Sequence, residues 1–227
     1  MINKTVKTMA EAMNGIQDGA TVLVGGFGLV GQPNALIDGL IEQGAGNLTA
    51  VANNAGNSPE SGLGRLIALG RVAKMICSFP RGSPAFEERY RAGTIDLEIV
   101  PQGTLAERMR AAGAGVPAFF TATAAGTKLA AGKEQREIDG RSYILENALH
   151  GDVALVEAWR ADRWGNLTYR STGRNFNPVM AMAGKLTIVQ TQHMAELGEI
   201  DPEVIVTPGL FVDRVIHVPY GDPPREP

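Results

Sequence analysis

The sequence is poor in the side chains that build disulfides and metal sites. Its 227 residues include one cysteine, Cys77, and three histidines, at positions 150, 193 and 217. One cysteine cannot form an internal disulfide, and structural zinc sites take several ligands from cysteine and histidine. The sequence therefore argues against a disulfide-stabilised fold and a cysteine–histidine zinc site, and we expect no metal and no permanently bound cofactor.

Positive charge and long apolar runs are also missing. Lysine and arginine total 21 against 24 aspartates and glutamates, a net charge of −3, and the basic residues are scattered. Nucleic-acid-binding proteins usually carry a clustered basic face. No apolar run approaches the roughly 20 residues of a membrane span, and residues 1–7 lack a signal peptide's apolar core. We expect a cytoplasmic protein that binds neither nucleic acid nor membrane.

Glycine is abundant: it accounts for 28 of the 227 residues, about 12%, whereas its usual share is ~7%. The glycines punctuate an alternation of short β-branched apolar runs and segments of helical periodicity. We predict strands over 21–24, 48–52, 73–77 and 95–100, and helices over 8–14, 33–44, 63–69, 83–93 and 104–113, the first and last opening with capping boxes at Thr8 and Thr104. This α/β order predicts a mainly parallel open sheet with helices on both faces.

The second half of the sequence is less regular. Asp139-Gly140 is typical of a β-hairpin turn, and residues 164–166 indicate a second turn between strands over 154–159 and 167–170. A helix starting at 177–178 and a strand over 186–190 follow. We predict one domain over 1–219 with an antiparallel extension, and a loose proline-rich tail over 220–227.

The glycine loop, residues 25–31, follows the first strand and reads G-x-G-x-x-G from Gly26. In that context the pattern is typical of dinucleotide-binding proteins, which suggests an NAD-dependent oxidoreductase. Such proteins place an acidic residue at the end of the second strand, whereas this sequence has Asn53-Asn54. The oxidoreductase therefore remains a remote alternative.

Glycine at these positions has a physical meaning whatever the ligand. It lets the backbone turn tightly and approach a ligand closely, and free N–H groups near a helix start favour phosphate or carboxylate. A tight turn without a ligand would also explain the glycines. Four glycines within residues 25–31 favour a ligand.

Several long motifs resemble the first subunit of the 3-oxoacid coenzyme A-transferases. The residues 18–33, DGATVLVGGFGLVGQP, are similar to the family signature. The likeness extends from Lys4 to Val218 through NNAG at 53–56, PQGTLAER at 101–108, GAGVPAFFT at 113–121, DRWGNL at 162–167 and RNFN at 174–177. The resemblance implies the fold of family I coenzyme A-transferases.

The resemblance also implies an activity that needs a second chain. These enzymes move coenzyme A, usually from succinyl-CoA, to a 3-oxoacid through a glutamate that forms an acyl anhydride and then a thioester. That glutamate belongs to a Ser-Glu-Asn-Gly motif of the second subunit, and this sequence has no such motif. Glu146-Asn147-Ala148 comes nearest, and we interpret Glu146 as structural. We expect a partner subunit in a heterotetramer or larger assembly; a catalytically inert module of similar fold is the alternative.

Site residues follow from the same motifs. The resemblance assigns coenzyme A binding to the glycine loop, Gly25, Gly26, Phe27, Gly28, Leu29, Val30 and Gly31. Gln102 matches a glutamine near the reacting acyl group, where an amide can stabilise an oxyanion, although a polar cap is equally plausible. The remaining pocket candidates are Asn53, Asn54, Gly113, Ala114 and Gly115, the two asparagines being equally plausible as turn residues.

The acceptor is suggested by residues 78–81, which are more like the 3-oxoadipate branch of the family than the acetoacetate branch. 3-Oxoadipate has a distal carboxylate that a cation would bind. We therefore expect Arg81 near the site, meeting that carboxylate. A solvated arginine and acetoacetate as acceptor are the alternatives.

Overall fold

The computed structural model describes residues 2–220 and contains two β-sheets. The strands are β1 Thr21–Val24, β2 Leu48–Asn54, β3 Val72–Phe79, β4 Asp96–Ile99, β5 Ala118–Thr121, β6 Gln135–Ile138, β7 Arg141–Asn147, β8 Gly151–Asp162, β9 Leu167–Thr168, β10 Gly184–Ala195 and β11 Arg214–His217. The helices are α1 Met9–Met13, α2 Asn34–Gln43, α3 Gly62–Ala68, α4 Pro84–Arg91, α5 Gln102–Gly113 and α6 Asn177–Ala183.

The larger sheet has the order β11-β10-β8-β1-β2-β3-β4, with β9 paired to β8. Every pair along this order is parallel, and only β9 runs antiparallel. The mainly parallel sheet is confirmed. The strand β11 was not predicted, and β8 and β10 extend well beyond their predicted ranges.

Helices cover both faces of this sheet, as the alternation predicts. Apolar residues of α1 to α4 pack on one face with Val22 and Val24, whereas α5 and α6 pack on the other face with Leu23. Successive side chains of a strand point to opposite faces, which explains the alternation within β1. Both faces of the short strand are therefore buried.

A separate three-stranded antiparallel sheet forms the predicted extension. Its order is β5-β7-β6, and Ile138 pairs with Arg141 across the turn. Asp139 and Gly140 have φ of 50° and 72°, the positive values that a two-residue hairpin turn of this kind requires. The hairpin is confirmed.

The two predicted capping boxes have different outcomes. Thr8 accepts a hydrogen bond from the N–H of Glu11 at 3.1 Å, and it caps α1 as expected. The prediction of a capping box at Thr104 is wrong, because α5 begins two residues earlier, at Gln102. Thr104 lies inside the first turn and is buried, with no hydrogen bond from its hydroxyl among the described residues.

The topology fixes where a ligand can bind. The chain passes from β1 to β2 on one side and later returns to β8 on the other side of β1. Ligands of open parallel sheets bind at the carboxyl ends of the strands, where the winding direction reverses. The glycine loop leaves β1 at this point.

The predicted C-terminal tail, residues 220–227, falls among the described residues only at Tyr220. The hydroxyl of Tyr220 donates a hydrogen bond to Glu157. The rest of that tail lies outside the described residues. Within residues 2–220, no helix is long and apolar enough to cross a membrane, and no group of three metal-binding side chains is found.

Candidate functional site

A cleft of about 450 Å³ lies at the carboxyl edge of the larger sheet. It is lined by Phe27, Gly28, Asn53, Asn54, Asn57, Ser78, Phe79 and Gln102. The structure thus brings the glycine loop, the asparagine pair and the glutamine together, although they come from separate motifs of the sequence.

Neighbouring parallel strands deliver these side chains to one place. Asn53 and Asn54 are the last residues of β2, Ser78 and Phe79 end β3, and Gln102 opens α5 just after β4. Because the three strands are adjacent and parallel, their carboxyl ends meet at the same edge.

The polar groups of the cleft are amides and a hydroxyl. Asn53 and Asn54 are buried, and Oδ1 of Asn54 accepts the N–H of Gly56 at 3.0 Å. The Ser78 hydroxyl is buried without a hydrogen-bond partner among the described residues. Gln102 is exposed at the start of α5, which has no side-chain cap. These groups can donate to an anionic or carbonyl oxygen, and none of them is a carboxylate.

Part of the backbone of the glycine loop is already hydrogen-bonded, within the loop and to neighbouring segments. The N–H of Gly25 donates to the carbonyl of Leu155 at 2.9 Å, as if continuing the sheet. Phe27 and Val30 exchange backbone hydrogen bonds of 3.0 and 3.1 Å around the loop tip. Among the described residues, the N–H groups of Gly28, Leu29 and Gly31 donate no hydrogen bond, so these backbone donors are available to a ligand.

Arg81 does not line the cleft. It is exposed in the turn that follows β3, two residues after Phe79. The turn begins next to Phe79, which lines the cleft, and Arg81 itself is not among the lining residues.

Gly113, Ala114 and Gly115 are not brought to this cleft. They lie at the end of α5, whose 12 residues span about 18 Å, whereas Gln102 opens its first turn. A Cβ at Gly113 would lie 2.5 Å from Cβ of Met182, so this glycine allows α5 to pack against α6.

Three lining residues were not predicted: Asn57, Ser78 and Phe79. Strand length is the signal that could have found two of them. The predicted strand ends at Cys77, whereas β3 ends at Phe79. The rule that ligands bind at the carboxyl ends of parallel strands would then have selected Ser78 and Phe79. Asn57 lies in the loop after β2 and gave no separate signal.

Neither Cys77 nor Glu146 is placed as a nucleophile. Burial raises the pKa of the Cys77 thiol to about 12, which leaves it unreactive. Glu146 is buried, with Lys133 donating to one oxygen and Arg108 4.0 Å from the other. This enclosure agrees with the structural role expected for Glu146.

A second cleft, of about 390 Å³, lies on the other side of the glycine loop and contains a buried carboxyl group. Glu157 accepts hydrogen bonds from Nε2 of Gln190 at 3.0 Å, from Nε2 of Gln192 at 3.1 Å and from the hydroxyl of Tyr220. Burial raises the pKa of Glu157 despite these donors. The two clefts therefore differ in chemistry: within residues 2–220, a carboxyl group lines the second cleft and none lines the first.

Comparison with known proteins agrees with this geometry. The coenzyme A transferase family profile matches residues 6–217. The chain is 59% identical over 220 residues to the A subunit of 3-oxoadipate CoA-transferase from Pseudomonas putida, covering 96% of this chain and 95% of that protein. It is 53% identical over 201 residues to the A subunit of succinyl-CoA:3-ketoacid coenzyme A transferase from Xanthomonas campestris pv. campestris (strain B100), covering 88% and 83%.

A solved structure shows the same fold. The apoenzyme of an acyl-CoA transferase from Escherichia coli O157:H7 superposes with a TM-score of 0.84 at 23% identity, covering 99% of this chain and 50% of that one. The match along residues 6–217 overturns the dinucleotide interpretation of the glycine loop. Because profile, sequence relatives and fold agree along nearly its whole length, the chain belongs to the coenzyme A transferase family.

Proposed function

We propose that this chain is the first subunit of a two-chain enzyme that moves coenzyme A from succinyl-CoA to 3-oxoadipate. The observation that carries the proposal is the composition of the 450 Å³ cleft, which among the described residues offers the amides of Asn53, Asn54 and Gln102 but no carboxylate. Such a cleft can hold and polarise an acyl group, but it lacks the glutamate that the family uses as nucleophile.

A partner subunit supplies that glutamate. The two sequence relatives are named as A subunits, and the chain matches half of the E. coli acyl-CoA transferase chain. A second polypeptide carrying Ser-Glu-Asn-Gly would provide the remaining half of such an enzyme. We infer that this partner closes the open side of the cleft in a heterotetramer or larger assembly.

In this scheme Gln102 stabilises developing negative charge. When the partner's glutamate attacks the thioester carbonyl, the carbonyl oxygen becomes an oxyanion and coenzyme A then leaves as a thiolate. The side-chain amide of Gln102 and the uncapped first-turn N–H groups of α5 lie at the same edge of the cleft. The backbone N–H groups of α5 are fixed before the reaction, and such donors are effective because no reorganisation is needed as the charge develops.

The glycine loop contacts the acyl-CoA in the same scheme. Phe27 and Gly28 line the cleft, and the N–H groups of Gly28 and Leu29 are unpaired among the described residues. Backbone donors at a glycine tip allow a ligand to approach closely. The segment from Gly25 to Gly31 therefore contributes mainly through its tip.

The identity of the 3-oxoacid that accepts coenzyme A is inferred from sequence identity and from Arg81. The 59% identity to a 3-oxoadipate enzyme favours 3-oxoadipate, and Arg81 in the turn beside the cleft supplies a cation for its distal carboxylate. The 53% identity to a 3-ketoacid enzyme makes acetoacetate the second candidate.

Reconstitution tests the proposal. The chain is purified alone, the chain carrying Ser-Glu-Asn-Gly is purified alone, and both are co-expressed; each preparation is assayed with succinyl-CoA and either 3-oxoadipate or acetoacetate. We expect transfer only from the pair, with higher kcat/KM for 3-oxoadipate. Full activity from this chain alone would contradict the two-chain scheme, and a preference for acetoacetate would overturn the acceptor.

A further inference from the structure

Two asparagines of the segment 174–177 hold the glycine loop at both ends. Oδ1 of Asn175 accepts the N–H of Gly26 at 3.1 Å, while its Nδ2 donates to the carbonyl of Val30 at 3.0 Å. Nδ2 of Asn177 donates to the carbonyl of Gly31 at 3.0 Å. The entry and exit of the loop are thus tied to one short segment that is far away in sequence.

The two side chains are themselves held in place. Asn177 is fully buried; its Nδ2 also donates to the carbonyl of Gly173 at 2.9 Å, and its Oδ1 accepts the N–H of Glu157 at 3.0 Å. Nδ2 of Asn175 donates to the carbonyl of Thr172 at 2.9 Å. Each amide therefore bridges the loop to a second part of the backbone.

The backbone at Asn175 also suits this role. Its φ is +23°, a positive value that asparagine, aspartate and glycine tolerate better than other residues. This conformation lets the amide reach both Gly26 and Val30.

At the exit of the loop, the lack of a side chain makes room for the asparagine segment. A Cβ at Gly31 would lie 2.6 Å from the carbonyl oxygen of Gly173 and 2.8 Å from Nδ2 of Asn175. At Gly28, by contrast, a Cβ would meet nothing within 4 Å. The crowding is confined to the ends of the loop, and the tip is open.

We propose that Asn175 and Asn177 are positioning residues for coenzyme A transfer, which fix the glycine loop so that its tip N–H groups meet the acyl-CoA in one conformation. The link to coenzyme A rests on the proposed function. A loop ordered before binding loses less conformational entropy when the substrate arrives. Releasing either end of the loop weakens substrate binding more than it slows the chemical step.

Isosteric and deletion variants test this role. Asn175→Asp retains the Oδ1 acceptor for Gly26 and tolerates the positive φ, but it replaces the donor to Val30 with an anionic oxygen. Asn175→Gly also tolerates the positive φ and removes the side chain, which provides a second variant if the first does not fold. Asn166→Asp is the matched control, because Nδ2 of Asn166 donates to Asp162 at 2.8 Å in the β8–β9 turn, away from the loop.

Two measurements separate positioning from general destabilisation. Hydrogen exchange of a peptide covering residues 25–32 is followed in the full chain, and KM and kcat for succinyl-CoA are measured with the partner subunit. We expect both Asn175 variants to increase deuterium uptake in this peptide and to raise KM about tenfold, with kcat reduced less than about threefold. The Asn166 variant lowers Tm and leaves both the uptake and KM unchanged.

Unchanged uptake in both Asn175 variants would overturn the proposal, as would increased uptake with an unchanged KM. If the wild-type pair transfers no coenzyme A, the proposed function has failed. The exchange measurement then decides by itself whether Asn175 holds the loop.

Discussion

The amide of Asn177 occupies the space that a side chain at Gly25 would need. A Cβ at Gly25 would lie 1.9 Å from Oδ1 and 2.8 Å from Cγ of Asn177. Asn177 cannot simply move aside, because it is fully buried and hydrogen-bonded to Gly31, Gly173 and Glu157. Glycine at position 25 is therefore required by packing.

Gly25→Ala is expected to lower the free energy of unfolding by about 2–3 kcal/mol, since it overpacks a buried site and disrupts buried hydrogen bonds. Urea denaturation monitored by circular dichroism measures the change. Gly103→Ala is the matched control, because a Cβ there meets nothing within 4 Å, and it should change stability by less than about 1 kcal/mol. Equal stability of the two variants would show that the Asn177 contact does not constrain position 25.

Gln102→Ala is expected to reduce kcat about 100-fold in the reconstituted pair, as removing an oxyanion donor does in other enzymes. Its Tm should change little, because Gln102 is exposed at the start of α5. Steady-state kinetics with succinyl-CoA provides the measurement, and Gln17→Ala, an exposed substitution before β1 at the opposite edge, is the control. An unchanged kcat would leave Gln102 as a polar residue at a helix start.

Arg81→Ala is expected to raise KM for 3-oxoadipate about five- to tenfold and to leave KM for acetoacetate unchanged. The reason is that 3-oxoadipate has a distal carboxylate, which would lose its positively charged partner, whereas acetoacetate has none. The control is Arg91→Ala, which removes an exposed arginine of α4 paired with Glu87. Both acceptors are assayed with the same enzyme preparation. If the ratio of the two KM values is unaltered, Arg81 is a solvated turn residue.

Glu98 provides a pH-dependent prediction. Burial would raise the pKa of Glu98, but hydrogen bonds from Arg108 at 2.8 Å and Lys74 at 2.7 Å outweigh it and hold the pKa below its ordinary value of 4.5. The ionised carboxylate therefore stabilises the fold above that ordinary value, and this contribution is lost as the pH falls through the lowered pKa.

Glu98→Gln should accordingly lower the free energy of unfolding by about 1 kcal/mol at pH 7, and the difference from wild type should shrink below about pH 4. Denaturation curves recorded between about pH 3 and pH 8 check both points. Glu60→Gln, a substitution of an exposed glutamate, should show no such trend. A difference that persists at the lowest pH would mean that the contribution of Glu98 does not depend on its negative charge.

The sequence pattern predicted strands and turns well where they depend on a few consecutive residues. The run of β1 occupies its predicted range, and Asp139-Gly140 forms the expected hairpin turn. Helix starts were less certain, because the Thr104 motif matches a capping box in sequence while Pro101 ends the preceding segment and allows α5 to begin at Gln102. The strand β11 is short and was not predicted; it forms by pairing with β10, which sequence pattern does not reveal.

The sequence by itself determined the α/β class, the glycine loop after β1 and the family, because these depend on periodicity and on contiguous motifs. Tertiary structure decided which of the motif residues meet. Adjacent parallel strands bring Asn53, Asn54 and Gln102 to one cleft, while the length of α5 takes Gly113 to Gly115 away from it. Packing also decided what the glycines at the ends of the loop do, since Gly25 and Gly31 make room for Asn175 and Asn177, whereas a Cβ at Gly28 would meet nothing within 4 Å.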